Sequence, residues 1–365
     1  MSDPSVDTTL PRPDASRYAE AVDGALTAFL DGQLRAIRDI AEPAGELIVG
    51  LQELVRGGKR MRPRFAYWGF AGAGGDPGDP LIVQAGAALE LFQAAALIHD
   101  DLIDRSDTRR GRPSMHRRFE AIHRGSGWQR DAGRFGEAAA VLAGDLCLSF
   151  SEQLFGTIHP LRPAAREIFD RMRTEVMAGQ FLDVLEESAG PSQDPAEAAG
   201  RARRILRYKS AKYSAENPLL LGGALAGASD ELLAAYSAYA LPLGEAFQLR
   251  DDILGVFGDP AQTGKPAGDD LREGKRTELV AHAVMMSPPA DRDFINARLG
   301  AEDLTDGEVA RLRDILRGAG ALEATEASIA GLSAQAFAAL EAMPVDEAHR
   351  AALRALGEAA ITRVK

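Results

Sequence analysis

The segment HDDLIDRSDTRRG places three aspartates at the end of an apolar run and two arginines just beyond them. On an α-helix, residues four apart are neighbours, so Asp100 and Asp104 share one face, while Asp101 points about 100° away from Asp100. Two adjacent carboxylates at the negative end of a helix need a compensating positive charge. A divalent cation such as Mg²⁺ suits them, since it usually takes one or two carboxylates plus phosphate and water. The alternative is a solvated acidic helix end that pairs with Arg105 or Arg109.

A second acidic segment, FQLRDDILG, spans residues 247–255. Gln248 and Asp251 lie three apart and therefore on one helical face, with Asp252 adjacent. The position one turn beyond Asp251 is Gly255, so this segment carries fewer carboxylates in register than the first. Two acidic helical segments that are distant in sequence could face each other across a cavity and share metal ions.

Lysine is rare in this chain, with 6 lysines against 36 arginines, so the positions of the lysines are informative. Lysine offers a compact charge where arginine offers a planar fork. Basic residues accompany the acidic segments at Lys59, Arg60, Arg62 and Arg64 in GGKRMRPR, at Arg109 and Arg110, and at Lys209, Lys265 and Lys275. Metal ions that bridge phosphate oxygens, with Arg and Lys on the remaining oxygens, would hold a polyphosphate. The pattern therefore predicts a site for such a ligand.

The composition limits the class of protein. With 365 residues, of which 45% are hydrophobic, the chain can form a substantial core. The net charge of −12 argues against bulk binding to nucleic acid or anionic membrane, although local charge can still favour an anionic substrate. A single cysteine, Cys147, rules out an internal disulfide framework and is consistent with a reducing cytoplasm. The polar N-terminus predicts no signal peptide, and no apolar run approaches ~20 uninterrupted residues. We therefore expect a cytoplasmic protein without stable membrane insertion.

Apolar residues recur with the 3.6-residue period of an α-helix, and no segment alternates convincingly as a strand does. The predicted helices cover 22–37, 81–104, 137–156, 162–187, 196–225 and 230–257, with shorter ones between 275 and 362, and the predicted loops cover 71–80, 123–136, 189–200 and 258–275. The run from Leu81 to Asp104 is apolar on nearly all sides, which predicts a helix at the centre of the protein. We expect an all-α protein with a disordered tail at 1–15 and a single domain at 16–365.

Considered together, these segments resemble motifs of the trans-isoprenyl diphosphate synthases, also called polyprenyl synthetases. GGKRMRP resembles the family's isopentenyl-diphosphate-binding segment, and HDDLIDRSDTRRG resembles its first aspartate-rich motif. FQLRDDILG and GKPAGDDLREGK resemble the second motif and the loop after it. The resemblance runs from about Leu51 to Thr277 in the family's motif order. It implies a homodimer with the isoprenoid synthase fold, a bundle of roughly ten or more helices around a central apolar cavity. The chain is most similar to a bacterial geranylgeranyl diphosphate synthase.

The resemblance also implies roles for individual residues. Isopentenyl diphosphate would be held by Lys59, Arg62, Gln93 and Arg110, Mg²⁺ by Asp100, Asp104 and Asp251, and the allylic diphosphate by Arg109, Lys209, Ser210, Gln248, Lys265 and Lys275. Gln93 stands where members often have His, and Ser210 stands where they commonly have Thr. Gly255 is the departure that matters, because many members carry a third aspartate there. Asp252 or Asp269 could contribute instead.

The implied activity is a transfer reaction. Isopentenyl diphosphate would condense with dimethylallyl, geranyl or farnesyl diphosphate to give an all-trans prenyl diphosphate. Ionisation of the allylic diphosphate separates charge in an apolar cavity, where Mg²⁺ and preorganised cations would stabilise the leaving group. The catalytic residues would be Asp100, Asp104, Asp251, Arg109 and Lys209. His99 and His116 are interpreted as positioning or structural residues, whereas Gln180 and Asp183 either line the cavity or form ordinary polar packing.

Product length is expected to depend on the helix that precedes Asp100. Ala95 and Ala96, about one turn below the aspartates, are small and would let a growing chain pass. Phe92, about two turns below, is the first bulky side chain and would form the floor. This arrangement favours geranylgeranyl diphosphate, with farnesyl diphosphate as the runner-up. The alternative is that Phe92 is a core residue that faces another helix.

Three other functions compete with this interpretation. A class I terpene cyclase also uses an aspartate-rich motif but needs no second diphosphate site, so GGKRMRP argues against it. A non-catalytic subunit of a heteromeric prenyl synthase loses aspartates or lysines, whereas the first cluster here is intact. A plain helical scaffold with metal-binding loops would leave the placement of the lysines unexplained.

Overall fold

The computed structural model of the protein describes residues 14–190, 195–259 and 268–362. The first part contains α1 (Ala15–Ile40), α2 (Gly45–Val55), α3 (Met61–Gly72), α4 (Pro80–Ile103), α5 (Met115–Gly125), α6 (Ala132–Gly156) and α7 (Pro163–Ala189). The second contains α8 (Pro195–Ile205), a π-helix (Leu206–Glu216), α9 (Asn217–Ala226) and α10 (Asp230–Phe257). The third contains α11 (Asp269–Glu273), α12 (Glu278–Met286), α13 (Pro289–Arg298), α14 (Asp306–Gly318), α15 (Ala321–Glu341) and α16 (Glu347–Ile361). The all-α class is therefore confirmed.

Helix α4 lies at the centre of the structure, as its uniform apolarity predicts. It begins after Asp79, whose side chain accepts a hydrogen bond from the Leu81 amide, and Pro80 occupies the first turn. The helix packs against α6, α3 and α1. Asp104 is its C-cap, and Arg105 follows with φ of 56°, a left-handed conformation that turns the chain sharply. The acidic C-terminal end of α4 therefore lies at the edge of the helical bundle.

Within the described ranges, two helices, α4 and α6, are long and apolar enough to cross a membrane by length and composition. In α4, 67% of the apolar window is buried inside the protein, as expected of a core helix, whereas in α6 the share is 44%. The expectation of no stable membrane insertion stays a prediction.

A π-helix interrupts the segment that the sequence predicts as one helix over 196–225. Gly179 of α7 permits its close approach, because a Cβ there would lie within 3.0 Å of the Lys209 backbone. On the other side, a Cβ on Gly244 of α10 would lie 2.5 Å from the carbonyl oxygen of Ala211. The π-helix is thus held between two glycine-bearing helices, and π-helical turns occur frequently at functional sites.

Several boundaries differ from the sequence-based predictions. The predicted loop at 123–136 is wrong at both ends, since α5 continues to Gly125 and α6 begins at Ala132 behind the capping side chain of Asp131. Helices α2, α3 and α5 were not predicted, and neither was a short antiparallel ladder of β1 (Thr108–Arg109) with β2 (Arg112–Pro113). Of the tail predicted at 1–15, residues 1–13 lie outside the described residues, whereas Asp14 caps α1 and Ala15 begins it.

Candidate active site

A cavity of about 750 Å³ opens between the ends of α4 and α10, with α7, the π-helix and the start of α3 forming its other walls. Most of the predicted site residues that the structure describes line it: Lys59, Arg62, Gln93, Ala96, Asp100, Arg109, Arg110, Lys209, Ser210, Gln248, Asp251 and Lys275. Lys265 lies outside the described residues. Segments separated by more than two hundred residues in sequence, such as those of Lys59 and Lys275, therefore meet at one place, as the sequence predicts.

Asp100 is the centre of a charged network at the end of α4. The Lys209 Nζ lies 3.1 Å from Asp100 Oδ1, and the Gln180 Nε2 donates to the same oxygen at 3.3 Å. On the other oxygen, an Arg109 guanidinium nitrogen lies 3.5 Å away. Burial alone would raise the pKa of Asp100, but Lys209, Lys275 and Arg109 outweigh it and hold that pKa well below its usual range. Asp100 is therefore charged at any physiological pH.

Asp104 lies on the same face of α4 but deeper, with 2% of its side chain exposed, and it does not reach the cavity surface. The Lys275 Nζ lies 3.1 Å from Asp104 Oδ2 and 2.6 Å from Glu273 Oε2, and so stands between the carboxylate and the cavity. Burial, together with the charge of Asp100, raises the pKa of Asp104 to about 6 despite the nearby Lys275. Lys275 supplies positive charge at the place where the sequence predicts a metal ion.

Asp101 binds Arg109, a role that was not expected because Asp101 does not share the helical face of Asp100 and Asp104. It is 2% exposed, and both of its oxygens accept hydrogen bonds from Arg109 Nε, at 2.9 and 3.1 Å. Arg109 is in β1, and the left-handed residue Arg110, with φ of 54°, turns the chain back toward β2. Asp101 therefore fixes the guanidinium of Arg109 beside Asp100, whereas the Arg105 side chain is 83% exposed and lies 3.9 Å from Glu302. Of the alternative, a solvated acidic helix end that pairs with Arg105 or Arg109, the pairing with Arg109 is confirmed, whereas Asp101 and Asp104 are buried and not solvated.

Asp183 and Gln180 of α7 both line the cavity. The Lys209 Nζ lies 2.5 Å from Asp183 Oδ2, so this lysine is shared between Asp183 and Asp100. Desolvation would lower the pKa of Lys209, but the two carboxylates outweigh it and raise that pKa above its usual value. Of the two sequence-based alternatives for Gln180 and Asp183, the structure supports a place in the cavity wall.

The second acidic segment forms the C-terminal part of α10 and faces the first across the cavity. Gln248 Nε2 donates a 2.9 Å hydrogen bond to Asp252 Oδ1, so the glutamine holds a neighbouring carboxylate as well as lining the cavity. Asp252 is 8% exposed, and burial with the charges of Asp270 and Asp251 raises its pKa to about 8. Asp251 lines the cavity. At neutral pH this segment is thus less charged than its sequence suggests.

The GGKRMRP segment forms the opposite wall. Lys59 is exposed at the cavity mouth, and the Arg62 guanidinium stacks over the Tyr213 ring, 4.1 Å from its centre, while donating to Ser214 Oγ at 2.8 Å. Tyr213 in turn donates its hydroxyl hydrogen bond to Gln93 Oε1. The sequence does not single out Tyr213, although it follows Lys209 by four residues.

Arg60 is the anchor of this wall. It is 5% exposed, has φ of 50°, and caps the start of α3. Its guanidinium donates to Asp23 Oδ1 at 2.7 Å, to Glu90 Oε2 at 2.5 Å and to the Val55 carbonyl oxygen at 2.6 Å. These three hydrogen bonds fix the loop so that the residues on either side of Arg60 face the cavity.

Phe92 does not form the floor of the cavity in this structure. It is fully buried, and its ring meets the Tyr213 ring edge-on, with centres 5.5 Å apart. Ala95 is also fully buried and lines no part of the cavity, whereas Ala96 does line it. The helical spacing places Phe92 near the direction of Asp100, but Tyr213 covers it. The alternative, a core residue that faces another helix, is what the structure shows.

The histidines of the region are structural. His99 Nε2 lies 3.8 Å from Asp145 Oδ1, and a Cβ on Gly144 would overlap its ring, so this imidazole is wedged between α4 and α6. His116 Nδ1 lies 3.2 Å from Ser114 Oγ at the start of α5. Neither lines the cavity, so neither is placed for acid–base chemistry there.

The residues present fit a divalent cation that binds together with a phosphate ligand. Within the described ranges, no three His, Cys, Asp or Glu side chains form a preformed metal site. Mg²⁺ usually binds through one or two carboxylates with phosphate and water, so it needs no such group. Asp100 and Asp251 line the cavity, whereas the buried Asp104 Oδ2 lies 3.1 Å from the Lys275 ammonium. Asp100 and Asp251 are therefore placed to hold a cation, and Asp104 would join them where the cation takes the place of that ammonium.

Comparison with known proteins relates the chain to prenyl diphosphate synthases. Residues 47–316 match the model of the polyprenyl synthetase family. The crystal structure of a geranylgeranyl pyrophosphate synthase from Corynebacterium glutamicum, complexed with isoprenyl diphosphate and magnesium, is 40% identical, with a TM-score of 0.90 over 96% of this chain and 100% of that one. A polyprenyl synthase from Caulobacter crescentus, complexed with calcium and isoprenyl diphosphate, is 29% identical, with a TM-score of 0.77 over 95% and 96% of the two chains.

A (2E,6E)-farnesyl diphosphate synthase from Mycobacterium tuberculosis is 31% identical over 263 residues, which are 71% of this chain and 67% of that protein. These relatives make prenyl diphosphates of different length, so the similarity defines the type of reaction and not the product. The match extends beyond the Leu51–Thr277 region that the motifs indicate. The chain belongs to the polyprenyl synthetase family and is a prenyltransferase.

Proposed function

We propose that this protein condenses isopentenyl diphosphate with an allylic diphosphate, namely dimethylallyl, geranyl or farnesyl diphosphate, to give an all-trans prenyl diphosphate. The observation that carries the proposal is the presence of two separate cationic walls in one cavity. Lys59, Arg62 and Arg110 lie on one side, and Lys209 and Lys275 lie on the other. Two walls suit two diphosphates, whereas a terpene cyclase would need one.

The allylic diphosphate binds at the wall that also carries carboxylates. Mg²⁺ held by Asp100, Asp104 and Asp251 would polarise the diphosphate and stabilise it as a leaving group. Lys209 and Arg109 are already oriented by Asp183 and Asp101, so their positive charge is in place before the substrate binds. Charge that is preorganised in this way stabilises a transition state without reorganisation during the reaction.

The reaction needs no covalent bond to the protein. The allylic C–O bond breaks, and its electrons leave with the diphosphate. The double bond of isopentenyl diphosphate forms the new C–C bond, and a proton is lost from the adjacent carbon. The resemblance to the family implies that the released diphosphate takes this proton. Apolar side chains of Ala96, Leu97, Val176 and Ile205 keep water from the cationic intermediate.

Geranylgeranyl diphosphate is the product that we propose, with farnesyl diphosphate as the runner-up. The small side chain of Ala96 lines the cavity about one turn below Asp100, where it leaves room for a growing chain. The similarity to the geranylgeranyl pyrophosphate synthase of Corynebacterium glutamicum supports the same product. Phe92 does not limit the cavity here, because it is buried with its ring against that of Tyr213.

The purified protein should be incubated with isopentenyl diphosphate, Mg²⁺ and each allylic diphosphate in turn, and the dephosphorylated products separated by chromatography. A C20 alcohol from a farnesyl primer is the expected result, and arrest at C15 from shorter primers identifies the farnesyl enzyme. Cyclic hydrocarbon would contradict the proposal in favour of a cyclase. No product at all would indicate a non-catalytic subunit or a scaffold, and Asp100→Asn serves as the inactive control.

We also propose a cytoplasmic homodimer. The described parts of α6 and α7 expose large apolar side chains, including Leu142 at 56%, Phe181 at 66% and Leu185 at 48%. A monomer rarely leaves such side chains to solvent in a group, so a second copy is the occupant that we propose. Light scattering should give twice the chain mass, and Phe181→Glu should shift the protein toward the monomer. A monomer at micromolar concentration would contradict the proposal.

A further inference from the structure

Arg62 is held in place differently from other cations of the cavity. Arg109 and Lys209 each contact a carboxylate oxygen, at 2.9 and 2.5 Å. The contacts that orient the Arg62 guanidinium are with neutral groups, the Ser214 hydroxyl at 2.8 Å and the face of the Tyr213 ring at 4.1 Å. A hydroxyl and a ring attract a guanidinium without cancelling its charge, whereas a carboxylate offsets much of it. These contacts therefore orient Arg62 while leaving its charge available to an anion.

Tyr213 also contacts a second residue of the same wall. It is 4% exposed, and its hydroxyl donates a hydrogen bond to Gln93 Oε1. Burial raises the pKa of Tyr213 well above its usual value, so the hydroxyl stays protonated and can donate. Because that bond uses the amide oxygen of Gln93, the amide keeps its Nε2 hydrogens as donors for another partner. One tyrosine thus orients two side chains that line the cavity, Arg62 through its ring and Gln93 through its hydroxyl.

The π-helix explains how one segment reaches both cationic walls. The Lys209 Nζ lies 3.1 Å from Asp100 Oδ1, and Ser214, five residues after Lys209, accepts the hydrogen bond from Arg62. In an α-helix, side chains five residues apart point about 140° away from each other. In a π-helix the hydrogen bonds run from residue i to residue i+5, so residues five apart lie close to one face. Lys209, Tyr213 and Ser214 accordingly all line the cavity.

We propose that Tyr213 and Ser214 are positioning residues for isopentenyl diphosphate, and that they act through Arg62 and Gln93. This assignment rests on the proposed function, since that function brings isopentenyl diphosphate to this wall. A guanidinium binds phosphate best through two parallel N–H bonds, which require a defined orientation. The Tyr213 ring and the Ser214 hydroxyl fix the guanidinium at two points, so less freedom is lost when the diphosphate binds.

The test is the steady-state KM for isopentenyl diphosphate, measured alongside kcat and the KM for farnesyl diphosphate. Tyr213→Phe keeps the ring against Arg62 but loses the bond to Gln93, so the KM for isopentenyl diphosphate should rise roughly 2–10-fold. Tyr213→Leu loses both contacts and should raise it further, roughly 10–100-fold. Tyr208→Phe is the matched control and should change nothing, since Tyr208 lies in the same π-helix but does not line the cavity. Thermal melting shows that each variant is folded.

Paired substitutions separate positioning from a general loss of packing. In a Gln93→Ala background, Tyr213→Phe should cause no further rise in KM, because the side chain that its hydroxyl orients is absent. Ser214→Ala should raise the KM about 10-fold in the wild type but add nothing in an Arg62→Ala background. Ser214→Thr keeps a hydroxyl and should retain the wild-type KM.

The outcomes separate the two proposals. If the wild type elongates farnesyl diphosphate and neither Tyr213→Phe nor Ser214→Ala raises the KM for isopentenyl diphosphate, the positioning role is overturned while the proposed function stands. Additive losses in the paired series, or equal changes in the KM for both substrates, overturn it as well. If the wild type forms no prenyl product, the proposed function is contradicted and the positioning role is contradicted with it.

Discussion

The acidic ends of α4 and α10 face the same cavity but are built differently. In α4, Asp100 and Asp104 come from one helix, one turn apart, and each has its own lysine partner, Lys209 and Lys275. In α10 the position one turn beyond Asp251 is a glycine, and the space beside it belongs to a carboxylate from α11. One cluster is thus made by helical periodicity, and the other is completed by tertiary structure.

This difference changes the charge of the two clusters. Lysine and arginine hold Asp100 ionised, so the α4 end is a fixed charged network before any ligand binds. At the α10 end, burial raises the pKa of Asp252 to about 8, so one of its carboxyls is largely protonated at neutral pH. We expect the α4 end to be the more sensitive of the two to substitution.

The largest expected effect is the loss of Asp100. Asp100→Asn removes the partner of Lys209 and Arg109 and the proposed metal ligand, so kcat should fall on the order of 10³-fold. Asp251→Asn should cost less, about 10–100-fold, because Asp252, Asp269 and Asp270 also line the cavity at that end. Steady-state kinetics with isopentenyl and farnesyl diphosphates give both values. Equal losses would remove the distinction between the two ends.

The next effect separates the two cationic walls. Lys209→Gln should lower kcat by roughly 10–100-fold, since a charged contact contributes about 1.5–3 kcal/mol. Lys59→Gln should instead raise the KM for isopentenyl diphosphate by about 10-fold with little change in kcat. Lys212→Gln is the matched control within the π-helix, because Lys212 pairs with Glu175 at 3.0 Å and does not line the cavity. An unchanged KM in Lys59→Gln would contradict its assignment.

A smaller effect concerns the glycine itself. Gly255→Ala should lower the melting temperature, because the added methyl group overlaps the Asp270 carboxylate. Gly331→Ala is a suitable control in helix α15, where a Cβ would meet nothing within 4 Å. It should raise stability by about 0.5–1 kcal/mol, the usual difference between Ala and Gly in a helix. An equal change in melting temperature in the two variants would show that the Asp270 side chain can move away from position 255 without cost.

The smallest effect is a dependence of stability on pH. Because burial raises the pKa of Asp252 from 3.8 to about 8, the unfolded chain loses this proton first as the pH rises. The carboxyl therefore destabilises the fold progressively from about pH 4 and fully above about pH 8. The side chain in Asp252→Asn cannot ionise and keeps an acceptor for Gln248. The melting temperature of this variant should therefore rise relative to that of the wild type between pH 5 and pH 9. Each kcal/mol is worth roughly 2–4 °C, and parallel melting curves would contradict the buried, protonated state.

The α4 end could be predicted from sequence because helical spacing is local information. Asp100 and Asp104 share a face wherever the helix goes, and the central position of α4 follows from its apolarity. The role of Asp101 could not be predicted, because it depends on β1 folding back to bring Arg109 against it. Phe92 illustrates the same limit, since a helical wheel gives its direction but not the Tyr213 ring that covers it.

The α10 end was only partly predictable for the same reason. Gly255 is visible in the sequence as a departure from the family pattern, but no spacing rule connects it to Asp270 across the intervening loop. The close approach of α11 to α10 is a tertiary contact, and it appears in the structure as the space that a Cβ would need. Helices α2, α3 and α5 were missed too, because they are short segments whose helical state depends on packing.

The central claim is that both acidic ends act through a divalent cation in prenyl transfer, and its most direct test is the metal dependence of the reaction. Product formation from isopentenyl and farnesyl diphosphates should be measured in Mg²⁺, in excess chelator, and after Mg²⁺ is restored. Turnover should disappear in chelator and return in full with Mg²⁺, while thermal melting shows that the protein stays folded throughout. Undiminished turnover in excess chelator would contradict the account.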